Sequence, residues 1–250
     1  MSDSVEGRWS EIFGPRYITV TLILCLGVAL FAFNAFLSST ALPTAVGELD
    51  GVAVISWATT LYLVFAIVGG AGAALLKQRL GSRTALLASA AVFLAGTLLA
   101  ANASSMVEVL VGRAVQGLGA SILAPSVLAI ISTTFPEGSE RTRALAWYSI
   151  VAGAGASLGM VLGGVFAGLL SWRIGFLVNI PIGLWLLFAV ERYIPENTPV
   201  AGKFDLLGAV TSTLGVGLLV YGLVHAAEAG WLQPITLATL SLSVVVIGIF

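Results

Sequence analysis

The sequence predicts an all-α polytopic membrane protein, on three observations. Of its 250 residues 58% are apolar and only 9% charged, whereas a soluble domain carries about 25% charged residues. Apolar runs of bilayer length recur eight times, and about 20 helical residues cross the roughly 30 Å of hydrocarbon. Charged and turn residues collect between those runs. With no water in the hydrocarbon to satisfy the backbone, only helices or a closed barrel can span it, and continuous apolar runs fit helices, not alternating barrel strands. Eleven Lys and Arg against twelve Asp and Glu give a formal charge of -1. No cationic excess exists to hold nucleic acid phosphates.

Each span has its own boundaries. Span 1 (17–39) follows Arg8 and Arg16 and ends in the polar run before Pro43. It is longer than the h-region of a secretory signal, and similar segments follow it, so it stays in the mature chain. Span 2 (55–76) lies between Asp50 and Lys77, span 3 (84–101) between Arg83 and Asn102, and span 4 (108–132) between Glu108 and Arg141. Span 5 (145–170) starts after Arg143; span 6 (174–190) is bracketed by Arg173 and Arg192. Span 7 (206–226) follows Lys203, and span 8 (235–250) follows Pro234 and reaches Phe250 with no polar flank. That bare end reads as truncation, which leaves two alternatives: a fragment of a longer product, or a chain that ends with the eighth helix.

Cations near span ends stay on the cytoplasmic side. Arg8, Arg16, Lys77, Arg79, Arg83, Arg141, Arg143, Arg192 and Lys203 all fall on one side of the predicted layout, and only Arg173 falls on the other. A multi-pass protein of the cytoplasmic membrane with a cytoplasmic amino terminus is expected. Trp57, Trp172 and Trp231 fall at the outer ends of spans, at headgroup level, as amphipathic rings prefer.

The chemistry expected of an enzyme is missing. A lone histidine, His225, cannot supply a His-pair metal site, and no glycine-rich phosphate loop ends in Lys and Ser or Thr. Gly155-Ala-Ser157-Leu-Gly159 matches a nucleophile-elbow pattern, but inside an apolar helix it lacks the strand-to-helix turn that chemistry needs. No metal and no cofactor is expected. No partner for His225 is visible in the sequence.

Four features carry the functional reading. Arg113 is the charge set deepest in a span, where an arginine costs at least about 2.5 to 3.5 kcal/mol unless it faces a wet cavity or a partner. Gln116, three residues on, shares its face and extends a polar patch; the alternative is a structural arginine bonded to carbonyls of span 1 or 2. Asn34, Ser38, Ser39 and Thr40 cluster toward the outer end of span 1, where amides and hydroxyls can hold a solute or bond across helices. Gly155, Gly159 and Gly163 repeat every four residues with Gly164 and Gly168 beside them, a small-residue face for close helix packing, fixed or sliding. The turn Lys77-Gln78-Arg79-Leu-Gly81-Ser-Arg83 is a tight reversal whose cations secure topology and can latch reversibly onto a neighbouring helix end, a gating loop.

Three longer motifs run through these features: Leu110-Val-Gly-Arg113-Ala-Val-Gln116-Gly117-Leu-Gly119, Gly159-Met160-Val-Leu-Gly163-Gly164, and Ser171-Trp172-Arg173 leading into Phe176-Leu-Val-Asn179-Ile-Pro181-Ile-Gly183. They resemble the major facilitator superfamily, and within it the drug:proton antiporters with fourteen spanning helices. Phe204-Asp205-Leu-Leu-Gly208 is similar to the start of that branch's two extra central helices. The resemblance implies a major-facilitator-type six-helix bundle over 17–193, after a cytoplasmic segment 1–16, then a linker 194–205 and two further membrane helices over 206–250. It implies export of a small drug-like or metabolite substrate across the lipid bilayer of the cytoplasmic membrane by alternating access, with protons as the coupling ion and a missing carboxyl-terminal half as partner. Arg113, Gln116 and Asn34 are then the cavity or coupling residues. This chain departs from the family with Asn34 and Gln78 where an Asp is usual, and with Met160 where a Pro is common. Asn34 cannot titrate, so proton coupling requires an acid elsewhere. The alternative function is a non-transporting half-transporter acting as a membrane scaffold or sensor.

Overall fold

The computed structural model describes Gly14, residues 18–194 and residues 206–249. The expected amino-terminal segment with Arg8 and Arg16, the linker with Lys203, the pair Phe204-Asp205, and Phe250 lie outside the described residues. Among the described residues all regular structure is helical: α1 (Ile18–Glu48), a short 3-10 turn (Val52–Val54), α2 (Ile55–Leu80), α3 (Ser82–Ala101), α4 (Met106–Thr134), α5 (Ser139–Leu169), α6 (Trp172–Leu177), α7 (Asn179–Tyr193), α8 (Leu206–Ala229) and α9 (Pro234–Ile249). Six stretches are long and apolar enough to cross a membrane, α6 and α7 together forming one of them, Trp172–Tyr193. Ile55–Gly70 and Pro234–Ile249 are apolar but shorter.

Three boundaries differ most from the sequence reading, each for a local reason. Span 1 was expected to stop at Ser39, before the polar run and Pro43, yet α1 continues to Glu48 with Pro43 inside it. The hydroxyls do not compete with the helix, because Ser39 Oγ donates to the Phe36 carbonyl at 2.7 Å and Thr40 Oγ1 to the Leu37 carbonyl at 3.0 Å. Buried Ala41, Leu42, Ala45 and Val46 then anchor the added turns, offsetting the one backbone bond that proline removes. Span 5 begins six residues earlier than expected, since α5 starts at Ser139, just after Gly138 at φ +119°. Span 6 is interrupted at Val178. Pro181 has no N–H for the Leu177 carbonyl, and the Asn179 amide takes up two further carbonyls, those of Gly175 at 3.2 Å and Phe176 at 3.1 Å.

The chain divides into two contact units, with the divisions falling inside α1 and α4. The first comprises residues 1–44 and 123–195. Its apolar core joins Leu24 of α1 to Val127 and Ile131 of α4, Phe135 just after it, and Ala144 of α5. Along α5 the buried positions include Gly155, Gly159 and Gly163, whereas Leu158 and Val161 are 56% and 63% exposed. Small inside and branched outside is the reverse of a soluble helix, and it suits a helix whose outer face meets lipid tails.

The second unit comprises residues 45–122 and 196–250. Here α8 and α9 form a hairpin, and α8 packs against α2. Trp57 of α2 meets Tyr221 of α8 with ring centroids 5.6 Å apart. At the hairpin's turn the Thr236 hydroxyl donates to the Gly230 carbonyl at 3.0 Å and sits 2.9 Å from His225 Nδ1.

Candidate functional site

Arg113 is fully buried, and three helices converge on it. Its Nε donates to the Ala58 carbonyl at 3.1 Å, its Nη1 donates to Gln116 Oε1 at 2.9 Å, and its Cζ lies 4.2 Å from the centre of the Tyr62 ring. Ala58 and Tyr62 stand one turn apart on α2, so a single helix face offers both a carbonyl and a ring. Gln116 Nε2 in turn donates to Thr97 Oγ1 of α3 at 2.8 Å, and Thr97 Oγ1 donates to the Phe93 carbonyl at 2.8 Å. The result is a directed chain of donors from guanidinium to amide to hydroxyl to backbone.

These partners of Arg113 are uncharged. A hydrogen bond to a charged group is worth about 1.5 to 3 kcal/mol, and a desolvated ring face about 2 kcal/mol. Two such bonds and one ring offset a large part of the cost of placing an arginine at mid-span, at least about 2.5 to 3.5 kcal/mol.

Glycines make the convergence possible. A Cβ at Gly96 of α3 would lie 2.5 Å from the Gln116 nitrogen and 2.8 Å from the Gly112 carbonyl, and one at Gly112 would lie 2.6 Å from the Ala100 nitrogen. One at Gly117 would strike the Tyr62 carbonyl. Backbone meets backbone on both sides of α4, which brings Thr97 and Tyr62 within reach of the polar pair.

Asn34 belongs to the first unit and meets a different partner. Asn179 Nδ2 approaches Asn34 Oδ1 at 3.4 Å, and both side chains are fully buried. Ser38, one turn on, is buried on the same face, while Ser39 points outward. The expected cluster therefore splits: Asn34 and Ser38 face inward, whereas Ser39 and Thr40 bond to their own helix.

The glycine face of α5 lies against α1. A Cβ at Gly155 would lie 3.1 Å from the Ala29 carbonyl, one at Gly159 would lie 2.5 Å from the Phe33 carbonyl, and one at Gly163 would meet the Leu37 carbonyl at 2.7 Å and the Thr40 hydroxyl. Gly164, expected in the same packing motif, has nothing within 4 Å, and neither has Gly168. The 100° step of the helix turns Gly164 off the α1 face and onto the adjacent one.

The cationic turn is more helical than a loop. Lys77 and Arg79 occupy the last turn of α2, where cations offset the helix dipole, and Arg83 opens α3. Gly81 alone links the helices, at φ +87° and ψ 165°, a conformation essentially confined to glycine. The Gln78 side chain lies outside the described residues.

The sequence reading passed over Tyr62, Thr97 and Asn179 as site residues. Asn179 carried a signal, an amide in an apolar run two residues before a proline. Tyr62 and Thr97 carried none, because each becomes polar company for Arg113 only through packing.

Comparison with known proteins decides the family, because residues 24–250 match the Major Facilitator Superfamily. The chain belongs to the major facilitator superfamily. A cephamycin export protein of Amycolatopsis lactamdurans is 37% identical over 237 residues, 91% of this chain and 47% of that protein. A multidrug resistance protein of Mycobacterium tuberculosis is 32% identical over 221 residues, 86% of this chain and 40% of its own. Among solved structures, a D-xylose-proton symporter aligns with a TM-score of 0.65 at 16% identity, covering 92% of this chain and 66% of that one; this likeness concerns the fold. This superfamily chain spans about half the length of the curated relatives it matches. Six long apolar helical stretches among the described residues and its family make it a multi-pass membrane protein. Arg113, Gln116, Asn34 and the α5 glycines all fall inside the matched residues.

Proposed function

We propose that this chain is the amino-terminal part of an exporter that moves small drug-like or metabolite molecules across the cytoplasmic membrane by alternating access. The observation that carries the reading is Arg113: a buried cation held by a carbonyl, an amide and a ring face, in a chain similar to a cephamycin export protein and a multidrug resistance protein. Such a cation can exchange one neutral partner for a substrate oxygen at little cost, which a tight carboxylate pair cannot. Gln116 and Thr97 orient it. Asn34 contributes the polar face of the first unit. Residues 17–193 act as one bundle with 206–250 as an added helix pair, and a second bundle supplies the surface against which the first rocks. The α5 glycines form a packing seam, and Lys77, Gln78, Arg79, Gly81 and Arg83 form a latch at the cytoplasmic face, with the amino terminus inside. Asn34 is an amide, so a proton, if it is the coupling ion, is carried by an acid outside this site.

The test is accumulation of amphipathic compounds in an efflux-deficient bacterial host expressing the protein at the length of its relatives. Wild type lowers accumulation, and Arg113→Ala restores it with unchanged protein in the membrane fraction. Undiminished efflux by Arg113→Ala removes Arg113 from the site, and no efflux by wild type replaces the exporter reading with a scaffold or sensor.

A further inference from the structure

A groove of about 400 Å³ lies on the first unit between the start of α1 and the end of α7, lined by Thr19, Leu22 and Leu26 on one side and Trp185, Ala189 and Tyr193 on the other. Its volume falls within the roughly 300 to 1,000 Å³ of small-molecule sites, and it plays no part in the Arg113 or Asn34 constellations. Leu22 and Trp185 are 56% and 60% exposed, so the groove opens outward from the helices.

The groove has a polar end and an apolar end. Helices α1 and α7 run antiparallel: Asn34 meets Asn179, and Gly27, seven residues back on α1, meets Leu186, seven residues on along α7. Continuing that register sets Thr19 at the level of Tyr193, and Leu26 near Trp185. One mouth therefore has a hydroxyl on each wall, and the far end has a leucine and an indole.

A cation edges the polar mouth. By the 100° helical step, Arg192 lies about 60° from Ala189, on the groove side, whereas Glu191 lies about 160° away on the opposite side. Arg192 is exposed, with its guanidinium carbon 5.9 Å from the centre of the Tyr193 ring. A long apolar channel entered past two hydroxyls and one positive charge has the shape and polarity of one ligand class, a single-headed anion with a hydrocarbon tail.

We infer that this groove is a binding site for one anionic phospholipid, its phosphate on Arg192 and the mouth hydroxyls, and its acyl chain along Leu22, Leu26 and Trp185. A guanidinium presents paired donors that fit phosphate oxygens, and an exposed basic residue at a membrane surface favours an anionic over a zwitterionic lipid about fivefold. Membrane anchoring of this kind is independent of what the exporter carries.

The test places the protein, at the length of its relatives, in phosphatidylcholine vesicles containing a minor fraction of brominated phosphatidylglycerol, and in matched vesicles with brominated phosphatidylcholine. The Trp185-dependent emission, taken as wild type minus Trp185→Phe, reports occupancy of the groove. Quenching by the anionic lipid at about fivefold lower mole fraction is expected. Arg192→Gln equalises the two lipids and Arg192→Lys keeps most of the preference. Equal quenching in wild type, or a preference that survives Arg192→Gln, overturns the assignment. Loss of the preference on adding inorganic phosphate also overturns it, by transferring the site to the free ion.

Discussion

Gly159→Ala is expected to destabilise the protein while the same substitution five residues on, at Gly164, does not. A Cβ at Gly159 would lie 2.5 Å from the Phe33 carbonyl and 3.1 Å from the Leu37 nitrogen, both backbone atoms that no rotamer change can move. Restoring ordinary contact at 3.4 Å requires α5 to withdraw from α1 by roughly 0.9 Å, loosening the approaches at Gly155 and Gly163 on the same face. Overpacking of this kind costs about 1 to 3 kcal/mol, against the roughly 0.5 to 1 kcal/mol that alanine gains over glycine in a helix. Gly164 has nothing within 4 Å, so Gly164→Ala keeps the helical gain without the clash. The two variants are therefore separated by about 1 to 3 kcal/mol, which at about 2 to 4 °C per kcal/mol is several degrees of Tm. Cys25, the single cysteine and a partly buried one, supplies the assay: in detergent its thiol becomes reactive toward a fluorescent maleimide as the bundle unfolds. A Gly159→Ala protein that melts at or above Gly164→Ala refutes the reasoning that α5 and α1 meet through backbone.

Three further outcomes follow from the second unit. Gln116→Leu removes the acceptor of Arg113 Nη1 and the donor to Thr97 together; the loss is about 1 to 3 kcal/mol, read as a lower Tm alongside reduced efflux. Tyr62→Phe keeps the ring face under the guanidinium and Tyr62→Leu removes it, so the leucine variant is expected to be the less stable in the same melt, by up to about 2 kcal/mol. Gly81→Ala forces a side chain into φ +87° and ψ 165° and costs about 1 to 3 kcal/mol, which detergent melting of the purified variant measures; no change there means that the α2–α3 reversal has a different backbone.

Much of the fold was legible because hydrocarbon leaves the backbone little choice, so length and apolarity alone predict helices. Polar residues near span ends were harder to read. Ser39, Thr40 and Pro43 look like the end of a helix, but in α1 the hydroxyls bond to carbonyls of their own turn and leave the ladder running to Glu48. The pairing of Arg113 with Gln116 was readable because three residues on one helix share a face. A carbonyl of span 2 was among the partners the sequence allowed, and Ala58 supplies it; the Tyr62 ring and the Thr97 hydroxyl were not readable, since what stands opposite depends on how closely glycines let three helices approach. The glycine repeat announced an interface, but its partner α1 is a fact of packing. Gly164 shows the limit of the pattern: adjacent in sequence to Gly163, it faces open space.

Arg113 is the working charge of the proposed transporter. The most direct test of this role is flux through the purified protein, at the length of its relatives, reconstituted in vesicles and loaded with a compound that the host assay shows to be exported. Wild type is predicted to carry the compound, and Arg113→Ala, folded and reconstituted to the same level, to carry none. Equal flux by the two proteins contradicts it.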